Sequence, residues 1–451
     1  LASKLSNYPA LFFRLVAIQA ELGYRRREIE MTEPKATRAG QDLTVKGEAI
    51  QRIYGNYLAW RYIVNRRYQR KLVWTLEEKR RFIDSVISGY PVPIVLLAER
   101  KAESQNFFEI IDGMQRLNAI FGFIENEYDV GEAYFDLNTM AETKALMDEG
   151  KLKQREPMLP REVCVQVAAY TMPLSIYEFA NAGDATGHFA QAVRLIASKA
   201  RGDVSASDEL PLNEMKKISI TNKDLPYGID VDEIFWIKQG VLTKEQVRES
   251  RDEELVADIL AFMLLDTKPS SRSEFLDDFF GYSDGEAQQQ RYRDIELATQ
   301  KNTIEVALAD FQRVLDQIKI TLNRSGRTLG QLLFGDQPPR APRYFQVVFL
   351  ALHKLIVLQN QEVTDQDALI KLIDGSGANI PVPEGGRWGA DDRIKAVNGV
   401  AGVYSPVFVS AKGYDPAQVR WITQMENILT QSYTEQGAYD FKQGFVRLDG
   451  K

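Results

Sequence analysis

The sequence predicts an α+β protein: a small mixed α/β domain toward the N-terminus, followed by a mostly α-helical C-terminal region. Three observations point there. Two short apolar runs, "VPIVLLA" at 92–98 and "FFEII" at 107–111, are bounded by turn signals and have the length of buried strands. The second passes straight into a helical pattern that places Met114, Leu117, Ile120, Phe121 and Ile124 on one face. Beyond residue 130 helical periodicity dominates. There "VCVQVAAYTMPLSIYEF" (163–179), rich in β-branched and aromatic residues, is the last stretch that reads as β.

Taken in order, residues 1–50 begin as a helical arm and turn into the polar stretch "EPKATRAGQDLTVKGEA", which reads as a linker. A compact mixed domain is expected over 51–180. Within it "TLEEKRRFIDSVISGY" (75–90) is a helix. Thr75 and Glu78 stand at capping-box spacing, Phe82, Ile83, Val86 and Ile87 make its apolar face, and Gly89 stops it. A helical domain is expected over 181–335 and a second, mostly helical one over 336–451. Helices are predicted near 187–200, 243–265, 302–320, 343–359 and 414–431. Thr243 and Gln246 repeat the capping box, and Ile304, Phe311, Val314, Leu315 and Ile318 form a helical stripe. Breaks fall at "DTKPSSRSE", "FGDQPPRAPR" and "IPVPEGGRWGADD", and no internal repeat is found.

Composition narrows the chemistry. The 451 residues, 44% hydrophobic and 26% charged, are those of a globular protein with more than one core. No run of 18 uncharged apolar residues occurs, so no membrane span is predicted. The N-terminal apolar patch lacks a small-residue cleavage site, so no secretory signal is expected. One cysteine, Cys164, fits a reducing cytoplasm. Two histidines, His188 and His353, are too few for a Cys/His zinc centre or a histidine-activated nucleophile, and His353 lies in an apolar helical pattern typical of a core edge. Net charge is −7, but between Arg52 and Arg81 nine basic residues face two acidic ones. Acid is concentrated later, in "YGIDVDEIF", "ESRDEELVADI" and "SEFLDDFFGYSDGE". An anionic ligand is therefore expected at the N-terminal third.

The turn at 112–116, "DGMQR", carries the most specific chemistry. A strand ending in Asp-Gly and feeding a helix leaves free N–H groups and the positive end of the helix dipole for an anion. Gly113 lets backbone approach a ligand, and Arg116 offers a planar fork for phosphate. Asp112 can hold a metal or orient a hydroxyl, and Gln115 can orient a water. A capping Asp112 and a solvated Arg116 would leave the same pattern. Likewise "NRRYQRKLVW" (65–74) can bind phosphate and stack a base, or be a basic loop that binds nothing.

The order "YQRKLVW", capped helix, "IDSVISGYPVPIVLL", "EIIDGMQRLNAIFGFIE" resembles the N-terminal domain of GmrSD-type modification-dependent restriction enzymes. Their pattern is roughly Y-Q-R-x-x-x-W, then S-I-x-x-G-x-P-I, then I-D-G-Q-Q-R-L. The resemblance is densest over 62–124. It extends through "YFDLNTM", "MPLSIYEF" and the stretch 225–261 to about residue 260. It implies a ParB/sulfiredoxin-like fold that binds and hydrolyses a nucleoside triphosphate (GTP, ATP or CTP, with Mg2+) to sense DNA in anti-phage defence. By position, Arg67, Tyr68, Gln69, Arg70 and Gly113 would bind the nucleotide. Asp112, Gln115 and Arg116 would act on it. Implied partners are DNA, a separate nuclease subunit and a second copy of the chain.

The sequence departs from this family in three places. Met114 stands where the family has its first glutamine, and a thioether cannot orient water. The family segment F-x-R-I-N-x-x-G-x-x-L is missing after "YEF"; "LNRSGRTL" (322–329) resembles it too late in the chain and reads as a helix end. Past His353 there is no histidine for an HNH nuclease centre, so cleavage is expected from a partner. "GGRWGADDRIKAVNG" (385–399), with Arg387 and Trp388, reads as a packed loop rather than a nucleic-acid contact. The alternative reading is a ParB-like regulatory or specificity subunit that binds DNA or nucleotide without turnover, using Arg66, Arg67 and Arg70.

Overall fold

The computed structural model describes residues 45–66, 69, 71–100, 106–178, 187–203, 209–221, 225, 227–271, 273–283, 285–336, 342–381 and 389–411. The expected N-terminal arm, the helix near 414–431 and the pair Arg387–Trp388 lie outside them.

A mixed six-stranded sheet with order β1-β5-β3-β4-β2-β6 organises the first half. Its strands are β1 (Val45–Ala49), β2 (Tyr62–Asn65), β3 (Val95–Arg100), β4 (Phe107–Asp112), β5 (Thr171–Glu178) and β6 (Glu209–Pro211). β3 pairs antiparallel with β4 and parallel with β5, and β2 runs parallel to β4. The α+β class is as the sequence implies.

Among the described residues, five helices of eight or more residues belong to this half: α1 (Ile50–Leu58), α2 (Leu76–Ile87), α3 (Met114–Ile124), α4 (Ala141–Asp148) and α5 (Arg161–Ala169). The start of α2 is fixed as predicted. Thr75 Oγ1 accepts from the Glu78 N–H while the Glu78 carboxylate accepts from the Thr75 N–H. Gly89, at φ +71, turns the chain out of the helix. Helix α3 is buried nearly all round, from Met114 to Ile124, with Phe121 stacked on Tyr57 at 4.2 Å. Ile50, Tyr54, Val64, Ile83, Val95, Ile110, Leu117 and Phe135 belong to this first core.

Two readings change here. The linker stretch ends in a strand, because β1 pairs antiparallel with β5 from Val45↔Ser175 to Ala49↔Thr171. As an edge strand it is half solvated, and its polar alternation disguised it. "VCVQVAA", read as β, is helix α5. Only Cys164, Val167 and Ala168 of it are buried, a helical spacing that wins over β-branched content. Cys164 is a free, buried thiol.

The second half is helical: α6 (His188–Arg201), α7 (Lys244–Arg248), α8 (Arg251–Leu264), α9 (Glu286–Asn302), α10 (Ile304–Ser325), α11 (Pro342–His353), α12 (Gln366–Ile373) and α13 (Ala390–Tyr404). Helix α11 runs on through a π-helical turn, Lys354–Leu358. Thr243 and Gln246 form the expected capping box, and "LNRSGRTL" does end a helix at Gly326. One continuous core runs from Phe189 to Phe408, with Phe311 on Phe349 at 4.4 Å and Trp236 edge-on to Phe345 at 5.1 Å. His353 is buried in it.

Candidate functional site

The β4–α3 turn exists because of one glycine. Gly113 caps α3 at φ +104, and a Cβ there would meet both Val95 methyls at 2.9 Å. The residue type is thus required by left-handed backbone and by the β3 strand beneath it. No side chain caps α3, so its first N–H groups have no capping side chain, and the first helical bond runs from Leu117 N to Gly113 O at 3.0 Å.

Asp112 is exposed over 64% of its side chain, while Arg116, one turn on, is exposed over 10%. Arg116 Nη2 donates to Asp112 Oδ2 at 2.5 Å. An exposed carboxylate and a buried guanidinium therefore stand together at the positive end of the helix.

Gln69 and residues 71–74 are laid against this turn. Gln69 Nε2 donates to the carbonyls of Ile110 at 2.9 Å and Ile111 at 2.5 Å. Gln115 Oε1 accepts from Val73 N at 3.1 Å and Trp74 N at 3.2 Å, and Gln115 Nε2 donates to Lys71 O at 2.9 Å. Both glutamines are tied to backbone. Gln115, expected to orient a water, has its carbonyl oxygen committed to two peptide N–H groups. Met114 is buried in the core. Arg67, Tyr68 and Arg70 lie outside the described residues.

Arg66, expected to meet phosphate, is instead 8% exposed. It donates to Ser198 Oγ, Asp203 O and Asp203 Oδ2, each at 3.0 Å. Lys71 Nζ, fully buried, lies 3.3 Å from Asp252 Oδ1 and 3.9 Å from Glu253 Oε1. Arg201 links Asp203 to Asp252. Two residues of the basic front, Arg66 and Lys71, are therefore neutralised inside the chain, Arg66 by Asp203 and Lys71 by the acidic "ESRDEELVADI" segment, which reduces the charge left for an external anion. Burial, reinforced by Arg201, pushes the Lys71 ammonium down from its usual value. Burial would push the Asp203 carboxyl up, but Arg201 and Arg66 outweigh it and hold it below the usual range. The opposed charge blocks were visible in the sequence; that Lys71 reaches from one to the other was not.

Beside this clamp a small cavity of about 20 Å3 has room for a water. Trp74, Lys79, Asn118 and Arg248 are among its walls. The Asn118 Oδ1 is buried without a hydrogen-bond partner among the described residues. Lys79 is 4% exposed, with its Nζ 5.8 Å from the centre of the Tyr128 ring. Burial, only partly opposed by Glu127, lowers its pKa to about 8. Sequence reading passed over both residues, because each sits at a position expected for a helix surface or face.

Residues 50–373 match the family described as GmrSD restriction endonuclease, N-terminal domain. The chain belongs to this family. No curated protein matches the chain. The GmrSD match begins with α1 and ends with α12, so it takes in the first core, most of the second and the seam between them. Among the described residues no helix is long and apolar enough to cross a membrane, and no group of three or more His, Cys, Asp or Glu is placed to hold a metal ion.

Proposed function

We propose that this GmrSD-family chain is the DNA-sensing component of a restriction system directed against phage, that it binds and turns over a nucleoside triphosphate at the β4–α3 turn, and that a partner supplies DNA cleavage. The observation that carries this reading is the Asp112–Arg116 pair at the start of α3, where no side chain caps the helix. Arg116 would release Asp112 and take a phosphate oxygen, with the first N–H groups of α3 completing the cradle. Arg67, Tyr68 and Arg70 belong to the proposed site by the family pattern alone. A single exposed carboxylate does not build a protein cage for Mg2+, so the ion would arrive with the triphosphate and meet Asp112. Gln69, Gly113 and Gln115 shape the turn.

The test is turnover by purified protein of GTP, ATP and CTP, each with and without DNA. Turnover that falls at least tenfold in Asp112→Ala supports the reading; absence of turnover with all three rejects hydrolysis. One observation favours the second reading, a binder without turnover: Gln115 is committed to backbone and Met114 to the core. That reading predicts nucleotide or DNA binding, unaccompanied by phosphate release.

A further inference from the structure

The segment that clamps the β4–α3 turn is itself held from the other core. On the sheet side, Gln69 bonds to the end of β4, and the backbone from Lys71 to Trp74 bonds to Gln115. On the helical side, Arg66 is bound to the C-terminal end of α6 through Ser198, and to Asp203 just beyond it. Lys71 is bound to Asp252 in the first turn of α8. Arg201 bridges Asp203 and Asp252, so Arg66, Asp203, Arg201, Asp252 and Lys71 form a continuous run of alternating charge. No side chain in it is more than 8% exposed.

Buried ion pairs add little net stability compared with apolar packing, but their donors are directional and fix register. Two apolar contacts would hold the cores together as well. They would not fix Lys71, whose backbone oxygen accepts from Gln115 while its ammonium reaches α8. We infer that Arg66 and Lys71 are positioning residues: from the helical core they set the segment that clamps Gln115, and hence the placing of Asp112 and Arg116. The site is thereby shared between the two halves of the chain, and any displacement of α6 or α8 is passed to it. This inference rests on the proposed nucleotide site for its functional consequence, though the clamp itself does not depend on it.

The test uses the full chain and Lys71→Met, which leaves Asp252 paired with Arg201. Leu369→Ala is the control. It opens a cavity in the helical core at a fully buried residue of α12, a helix that packs on α10 and α13 rather than on α6 or α8. Amide hydrogen exchange at Gln69, Val73 and Trp74 is read together with the affinity for unhydrolysed GTP, ATP and CTP analogues. Lys71→Met is expected to speed exchange at these amides at least tenfold and to weaken nucleotide binding at least tenfold. Leu369→Ala is expected to do neither. Unchanged exchange in Lys71→Met overturns the clamp, as does an equal effect of Leu369→Ala, which would mark general destabilisation. If the unaltered protein binds none of the analogues, the nucleotide reading falls, and the clamp is decided by the exchange rates alone.

Discussion

Gly113 decides whether the β4–α3 turn can form. Alanine would need both a left-handed backbone and a Cβ 2.9 Å from the Val95 methyls. Gly113→Ala is therefore expected to destabilise the protein by about 1–3 kcal/mol, read as a lower urea midpoint. A loss below about 0.5 kcal/mol would show that the strand and turn relax together. Lys79 gives a prediction of opposite sign. Its folded pKa of about 8 lies below that of an unfolded lysine, so the protonated ammonium destabilises the native state. The penalty is full below pH 8 and fades as pH rises toward roughly 10.4, the unfolded value. Lys79→Met should be more stable than the natural protein at pH 7, by on the order of 3 kcal/mol, and should lose that advantage by about pH 10.5. A stability difference that does not vary with pH would show that the buried ammonium is not its source. The two residues also show what sequence could reveal of the site. Asp112, Gly113 and Arg116 stand close together in the chain and were readable as one turn. Lys79 and Asn118 belong to separate helices, and only folding brings them to one cavity.

Local signals wrote the elements that depend on neighbours in the chain. The capping boxes at Thr75 and Thr243, the stop at Gly89 and the stripe along α3 are all built from residues within a few positions. Elements decided by distant partners were misread. β1 is a strand because β5 offers it hydrogen bonds, and α5 is a helix because only one of its faces meets the first core. The α2 cap permits a direct measurement. Thr75 and Glu78 satisfy two N–H groups at the helix start, next to the Val73–Trp74 backbone that holds Gln115. Thr75→Ala is expected to cost about 1 kcal/mol in urea denaturation. Glu78→Ala should cost no more, since its side chain is the exposed partner, and the double variant should fall short of the sum because the two bonds form one motif. Strict additivity would show that the caps act independently.

The two cores are separate apolar clusters joined by buried charge, which makes their union sensitive to acid. Asp203 is the clearest reporter: a fully buried carboxylate between Arg66 and Arg201, held below the usual range by them in spite of its burial. A carboxyl depressed in the folded state stabilises above its unfolded pKa, and that contribution is lost as pH falls through the folded value. At pH 7, Asp203→Asn should therefore cost roughly 3–5 kcal/mol, because Arg66 and Arg201 are left in the interior with less compensating charge. From about pH 4 downward, where unfolded aspartates protonate, the natural protein begins to lose this contribution, and the loss is complete only below the depressed folded pKa, so the gap between the two should narrow steadily as pH falls below 4. Urea denaturation at about pH 7, 4 and 2.5 measures it. A gap that stays constant into acid would mean that Asp203 acts through shape and hydrogen bonding alone. A gap that narrows would identify the run from Arg66 through Asp203 and Arg201 to Asp252 and Lys71 as an ionic lock between the two cores.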